Sequence, residues 1–311
     1  MMTLLKKELA DYFTSIRFII LLLLTLLLAA LALHAAYITI QTQDTSDFVF
    51  LSLFTCAEEA LPQLLNLPTL IALFFMPFVG ITLGFDAVNS ERNNGTLSLL
   101  MAQPIYRDSI INAKFLASLC IVALTATISM LLIGGIGLRM IGVPPTSEEF
   151  IRLFIYLISI IIYGAFWVGL SNLFSVVFRW TGTSLMSALA LWLFFGLFYI
   201  FMLAPMLANM ISPVPDDATE AMQIANALTS STLLRLSPNY LFLEASTVLL
   251  LPLVRTLGVI TTGAYNYMIP NPLSLGQSML LVWPHLVVLI SLTAVCFGVS
   301  YVMFMRQEIR S

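Results

Sequence analysis

Charge is what this sequence has least of. Of 311 residues only 13 are Lys or Arg and 16 are Asp or Glu, 9% in all, where a water-soluble domain carries about 25%. With a mean hydropathy of +1.00, that shortage excludes a soluble fold and predicts an all-α polytopic membrane protein. Lysine occurs only as Lys6, Lys7 and Lys114, and none follows a glycine. A P-loop needs Gly-Lys-Ser/Thr to cradle phosphates, so a nucleotide hydrolase of that type is excluded. The formal charge of −3 excludes a nucleic-acid partner, whose phosphates call for clustered Lys and Arg. Cys56, Cys120 and Cys296 stand far apart with no CxxC pair, which supports neither a zinc site nor a disulfide framework. No His-Glu pair exists, hence no HExxH helix.

Uncharged stretches, by contrast, are long. A bilayer core about 30 Å thick needs roughly 20 apolar residues in a helix. Six stretches free of Asp, Glu, Lys and Arg qualify: Phe18 to Gln43, Ala60 to Phe85, Phe115 to Leu138, Leu153 to Phe178, Trp180 to Pro215, and Thr256 to Met305. Turn-forming residues confine the last two helices to Thr183 to Asn209 and Met279 to Met305, leaving 210–278 as the largest piece outside the membrane. Ion-coupled carriers need ionisable groups inside the bilayer, and these stretches offer only His34 and His285, each read as hydrogen-bonded packing near a span end. Ser184 and Ser278 have no base paired with them, so a membrane hydrolase finds no support. Gly80 and Gly84, Ala165 and Gly169, and the cluster Gly134, Gly135 and Gly137 mark close helix approaches, within one chain or between two.

Basic residues set the orientation. With the N-terminus inside, cytoplasmic segments hold Lys6, Lys7, Arg17, Arg92, Arg107, Lys114, Arg179, Arg306 and Arg310, and external ones hold Arg139, Arg152, Arg235 and Arg255. That asymmetry predicts both termini in the cytoplasm. Ala30-Leu31-Ala32 resembles a signal-peptide cleavage site, but the apolar run is too long for an h-region and Glu8 and Asp11 spoil a basic n-region. Within residues 1–17, Leu5, Leu9, Tyr12, Phe13 and Ile16 recur at three- and four-residue steps, which predicts an amphipathic helix on the inner membrane surface.

Between the second and third spans, residues 86–114 read as a polar helix end, a turn at Asn94-Gly95, a short apolar helix from Thr96, a break at Pro104, and a returning helix capped by Asp108. Asn94-Gly95-Thr96 matches a glycosylation sequon, which carries no meaning on the cytoplasmic side. Glu91, Gly95-Thr96-Leu97, Leu99-Leu100, Pro104-Ile105, Arg107 and Lys114 together resemble the signature of class-2, exporter-type ATP-binding cassette (ABC) permeases, a family that includes gliding-motility and nitrous-oxide-reductase maturation permeases. Lys7-Glu8-Leu9, Ser237-Pro238 with Phe242, and the basic end Arg306 to Arg310 extend the likeness over the chain. The connection after the fifth span is longer than in the simpler members.

The resemblance implies a single permease domain over 1–311 in the cell membrane, without cofactor, metal or catalytic residues of its own. ATP and Mg would be bound by a cytoplasmic ABC ATPase partner, and a second permease copy or a paralogous permease would complete the assembly among membrane lipids. It also implies that loop 86–114 is a coupling element, with Glu91, Arg92, Arg107 and Asp108 at or near the ATPase contact, Gly95 and Thr96 in the turn, Pro104 at the break and Lys114 leading into the next span. On the outer side, Asp216, Asp217 and Glu220 precede a stripe of Ala221, Ile224, Ala225 and Leu228, which predicts an amphipathic surface helix. Ser237-Pro238 starts another, Leu241 to Val254, too broken by Glu244 and Pro252 to span and therefore re-entrant or interfacial. In the family such outer helices cap the exit; a structural lid and a substrate contact both remain open. Two other functions fit the composition. A non-transporting scaffold would have no ATPase partner, and a secondary carrier would move substrate on ion gradients without ATP.

Overall fold

The computed structural model describes residues 1–42, 49–55, 67–96, 106–215, 218–252 and 272–307. Among these every regular element is helical. A surface helix α1 (Met2–Thr14) leads into α2 (Ile16–Thr42), and a short α3 (Val49–Thr55) precedes α4 (Leu67–Asn93). Then come α5 (Arg107–Ile141), α6 (Ser147–Val177), α7 (Thr181–Ile211), α8 (Glu220–Leu234), α9 (Pro238–Leu250) and α10 (Leu275–Arg306). Six of these, α2, α4, α5, α6, α7 and α10, are long and apolar enough to cross a bilayer. The chain therefore crosses back and forth, and the contacts define two ends: a near end with α1, and a far end with α8 and α9.

Local signals place the helix ends. Thr146 and Glu149 form a capping box that starts α6, and Ser274 with Gln277 does the same for α10. Gly142, at φ 75°, closes α5 by bonding its N–H to the Leu138 carbonyl. Spans five and six run Thr181–Ile211 and Leu275–Arg306. The fifth is two residues longer at each end than the expected Thr183 to Asn209, and the sixth starts four residues before the expected Met279, because the capping box at Ser274 begins the helix a turn earlier.

Two spans widen into π-helix, α4 over Ile71–Phe75 and α7 over Phe194–Leu203. Each widened stretch stops two residues short of a proline, Pro77 and Pro205. A proline gives no N–H and its ring crowds the carbonyl four residues back, which a wider turn relieves. The acceptor that residue 77 would serve is the Leu73 carbonyl in α-register or the Ala72 carbonyl in π-register. Both are rescued by side chains: Trp192 Nε1 donates to Leu73 O at 2.5 Å, and the Tyr163 hydroxyl donates to Ala72 O. In lipid no water is available for that task.

Helix α6 sits at the centre, in contact with α4, α5, α7, α9 and α10. Its Trp167, Tyr156 and Tyr163 are among the largest fully buried side chains. The GxxxG of α4 packs here within the chain. A Cβ on Gly80 would lie 2.4 Å from Trp167 Cβ, and one on Gly84 2.6 Å from Ser171 Cβ. Gly137 similarly abuts Leu53 of α3, and Gly169 faces Thr293 and Cys296 of α10.

At the far end the structure amends the sequence reading. Helix α9 begins at Pro238 and ends at Leu250, and it is built into the bundle: Phe242, Ala245, Val248 and Leu249 are buried among α6, α10 and α4, with Phe242 stacked on Tyr163 at 4.5 Å. Helix α8 exists, but its stripe of Ala221, Ile224, Ala225 and Leu228 faces outward. It is the opposite, polar side that docks, Asn226 donating to Asn209 Oδ1 and to the Ser212 carbonyl. Asp216, Asp217, Cys56, Pro104 and Val254 lie outside the described residues.

Candidate coupling face

Charged side chains are buried at both ends of the bundle, Glu8 and Lys114 at one and Arg152 and Glu244 at the other. At the near end, Lys114 lies in the second turn of α5, its side chain 7% exposed, and its Nζ is 3.1 Å from Glu8 Oε2 and 2.8 Å from Glu91 Oε1. Glu8 comes from α1, on the face that carries buried Leu4; Glu91 comes from the short helical turn Asn89–Asn93 that ends α4. One ammonium thus ties the surface helix, the second span and the third span. Lys7, half-exposed, adds a second cation 3.4 Å from Glu8 Oε1, but removing the buried Lys114 would leave Glu91 desolvated and Glu8 with only that surface partner.

Around this clamp the same elements are pinned again. Tyr12 of α1 donates to the Leu83 carbonyl at 2.9 Å and lies 3.0 Å from Ser118 Oγ of α5. Burial pushes its phenol up to about 12, so it stays a donor. Arg17 forks onto Asp86 at 2.8 and 2.6 Å and covers the Phe85 ring. Ser175 of α6 accepts from the Val88 and Asn89 amides, so the start of the loop is seated on the fourth span. Arg92 bonds Gln307 Oε1, Arg107 donates to the Gln307 carbonyl at 3.3 Å, and Gln307 Nε2 donates to the Val176 carbonyl at 2.8 Å. The end of α10 is thereby fastened to the loop.

Of the sequence-derived residues, Glu91 and Lys114 meet directly, while Arg92 and Arg107 meet through Gln307. Thr96 Oγ1 donates back to the Glu91 carbonyl, and Gly95 stands at φ 71°, the left-handed turn expected of it. Asp108 does not cap α5. Tyr106 holds the N-cap position, and Asp108, one residue inside the helix, accepts from the Ser109 amide. Among the described residues of the loop, Asn93 to Thr96, Arg107 and Tyr106 face solvent, Tyr106 at 83% exposure. Glu8, Asp86, Ser175 and Gln307 escaped the sequence reading as site residues. Their signal is weak, since each bonds a partner at least 69 residues away in sequence, as Arg17 and Asp86 do.

The far end carries its own ionic contacts. Arg152 of α6, fully buried, reaches Glu148, the Leu249 and Leu273 carbonyls and Ser278 Oγ. Glu244 of α9 accepts from Arg235 at 2.9 Å and lies 2.7 Å from His285 Nε2, so His285 is hydrogen-bonded as expected but to a carboxylate of α9. Ser184 and Ser278, the imagined nucleophiles, are spent on the Phe85 carbonyl and on Arg152. Among the described residues no group of His, Cys, Asp and Glu could hold a metal ion.

Comparison with known proteins gives a consistent answer. A family model described as ABC-2 family transporter protein matches residues 2–309. A probable ABC transporter permease protein NosY of Pseudomonas aeruginosa is 29% identical over 210 residues, 63% of this chain and 67% of that protein. A protein of the same name from Stutzerimonas stutzeri is 32% identical over 123 residues, 40% of each chain.

Proposed function

Because the chain belongs to the ABC-2 family of transporter proteins and is a membrane-spanning permease subunit, we propose that its near end takes up the stroke of a separate ATP-hydrolysing subunit. The near end is then cytoplasmic, in keeping with the basic residues, and α9 lies at the external exit. The exposed turn Asn93 to Thr96 enters a groove on the ATPase, which holds ATP and Mg. Two permease chains dock on two ATPase subunits, and the motion drives export of cargo across the cell membrane.

The observation that carries this reading is the buried Lys114 between Glu8 and Glu91. A push on the turn cannot move Glu91 alone, because the ammonium makes α1 and α5 follow, and Arg92 with Gln307 brings α10. Glu91 and Arg92 thus transmit force inside the permease, and the turn with Arg107 makes the outer contact. The test is purification from the native membrane in mild detergent. A soluble P-loop ATPase should co-purify in two copies, and Arg107→Glu, on the outer contact, should weaken that association. Isolation of the permease without an ATPase, under conditions that keep other ABC complexes whole, would favour a scaffold instead.

A further inference from the structure

Both ring nitrogens of His285 face oxygen. Within α10, Nε2 lies 2.7 Å from Glu244 Oε2 of α9, and Nδ1 lies 3.2 Å from the Leu281 carbonyl one turn back. A neutral imidazole has a single N–H, so it serves one of these oxygens and turns a bare lone pair on the other. Only a ring that carries both protons donates at both sites. The His285 and Glu244 side chains are each 5% exposed, so neither can exchange its partner for bulk water without a cost in desolvation.

The carboxylate opposite is fixed in its charged form. Arg235, just past the end of α8, forks onto it, Nε to Oε2 and Nη2 to Oε1, each at 2.9 Å. With His285 that makes three N–H groups on two oxygens, and an acid proton on either oxygen would point at a donor. Burial works against the charge, but the bonds from His285 and Arg235 outweigh it and hold the Glu244 carboxyl below the usual carboxylate range. Arg235 is 34% exposed and partly screened by water, which leaves the buried ring facing the charge of Glu244. Tyr240 of α9 stands near the same carboxylate, its phenol pushed up to about 12 by burial, so it stays neutral. Arg152 of α6 reaches α10 two turns earlier, at Ser278 on the same buried face, but its charge is taken by Glu148.

We propose that His285 and Glu244 form a proton-binding site that clasps α9 to α10, the bound proton being the second N–H of the ring. Two side-chain contacts of charged groups hold α9 to the spans: Arg152 takes the Leu249 carbonyl near its end, and His285 takes Glu244 in its middle. Arginine keeps its charge throughout the working range of pH, so the His285 contact is the one that responds to it. Loss of the proton leaves either Glu244 or the Leu281 carbonyl facing a lone pair. A partner that favours the charged ring strengthens the contact at low pH, and that gain disappears as pH rises. On the orientation proposed above the site lies toward the external side and follows external acidity. The proton site itself does not depend on that orientation or on the ATPase, so it can fail while the coupling reading stands, and the reverse.

The test uses the full chain in lipid nanodiscs. His34 and His285 are its two histidines, so labelling the histidine rings with nitrogen-15 in a His34→Gln background leaves the nuclear magnetic resonance signals of His285 alone. At neutral pH both ring nitrogens should read as protonated, and under the same conditions Glu244→Gln should show one protonated and one bare nitrogen. One bare nitrogen at neutral pH with Glu244 in place would overturn the site. Hydrogen exchange then reads the clasp. Corrected for the intrinsic pH dependence of exchange, protection of the α9 amides should fall by about tenfold as the ring loses its second proton, the worth of one charge-assisted hydrogen bond. Protection of α4 should hold over the same range, and His285→Gln should abolish the step in α9. Protection of α9 that stays constant while the ring is seen to titrate would overturn the clasp; if Glu244→Gln does not fold, the titration of the chain with Glu244 intact decides both points.

Discussion

At the scale of the residue, Lys114 and Gly95 carry the clearest consequences. Lys114 is the buried partner of two acids, Glu8 at 3.1 Å and Glu91 at 2.8 Å, while Lys7 reaches Glu8 from the surface at 3.4 Å; breaking a buried pair by removing one partner costs about 3–5 kcal/mol. Lys114→Met should therefore lower the melting temperature of the purified permease by several degrees at neutral pH. Removing one acid relieves the repulsion between Glu8 and Glu91, so Glu91→Gln added to Lys114→Met should recover part of that loss. A loss that is the same with and without Glu91→Gln would mean that the clamp is not electrostatic. Gly95 presents a different case. A Cβ there meets nothing within 4 Å, so substitution is limited by backbone conformation and not by space. At φ 71° valine is strained by roughly 1–2 kcal/mol or more, whereas asparagine tolerates the left-handed region. Gly95→Val should uncouple ATP-dependent activity in a chain that still folds, and Gly95→Asn should retain it; full activity in the valine variant would remove the turn from the coupling path.

At the scale of the element, the contact of α4 with α6 is set by what is missing from Gly80 and Gly84. Their Cβ positions fall 2.4 and 2.6 Å from side-chain carbons of Trp167 and Ser171, closer than real atoms approach. Gly80→Ala must push the second and fourth spans apart, and overpacking of this kind costs about 1–3 kcal/mol. Gly135→Ala, in open space on α5, should cost little, because nothing has to move. Thermal unfolding of the two variants side by side checks the assignment, and equal losses would sink it. The pattern GxxxG was legible in the sequence; which helix it faced was not, since small residues permit an approach without naming the partner. The same holds for α9. Its proline start and its inability to span followed from Ser237-Pro238, Glu244 and Pro252, but its burial against α6 depends on Tyr156 and Tyr163, more than 70 residues away in sequence.

At the scale of the whole molecule, the arrangement of basic residues predicts both termini in the cytoplasm, with Cys56 outside. Reporter fusions at each end should both read as cytoplasmic, and membrane-impermeant thiol reagents should spare Cys120 and Cys296, which lie in spans; either end reporting outside would defeat the orientation. The number of spans and their approximate limits were determined by composition alone, because lipid permits only backbones that satisfy their own polar groups, and a helix of about 20 apolar residues is the cheapest such structure. Helix starts at Thr146, Ser274 and Pro238 were equally local, being fixed by the chemistry of one turn. Reading spans as charge-free stretches, however, hid Lys114 and Arg152, because a buried charge is tolerable only beside its partner, and the partner is visible only in three dimensions. The π-turns were hidden for a similar reason: Pro77 announces a missing N–H, but whether the helix breaks, kinks or widens depends on whether a donor such as Trp192 or Tyr163 arrives from another span. The sequence by itself determined what each segment had to do to survive in a membrane. Tertiary structure decided which segments do it for one another, since hydrogen bonds and ion pairs at 2.5 to 3.3 Å link residues whose separation along the chain carries no pattern.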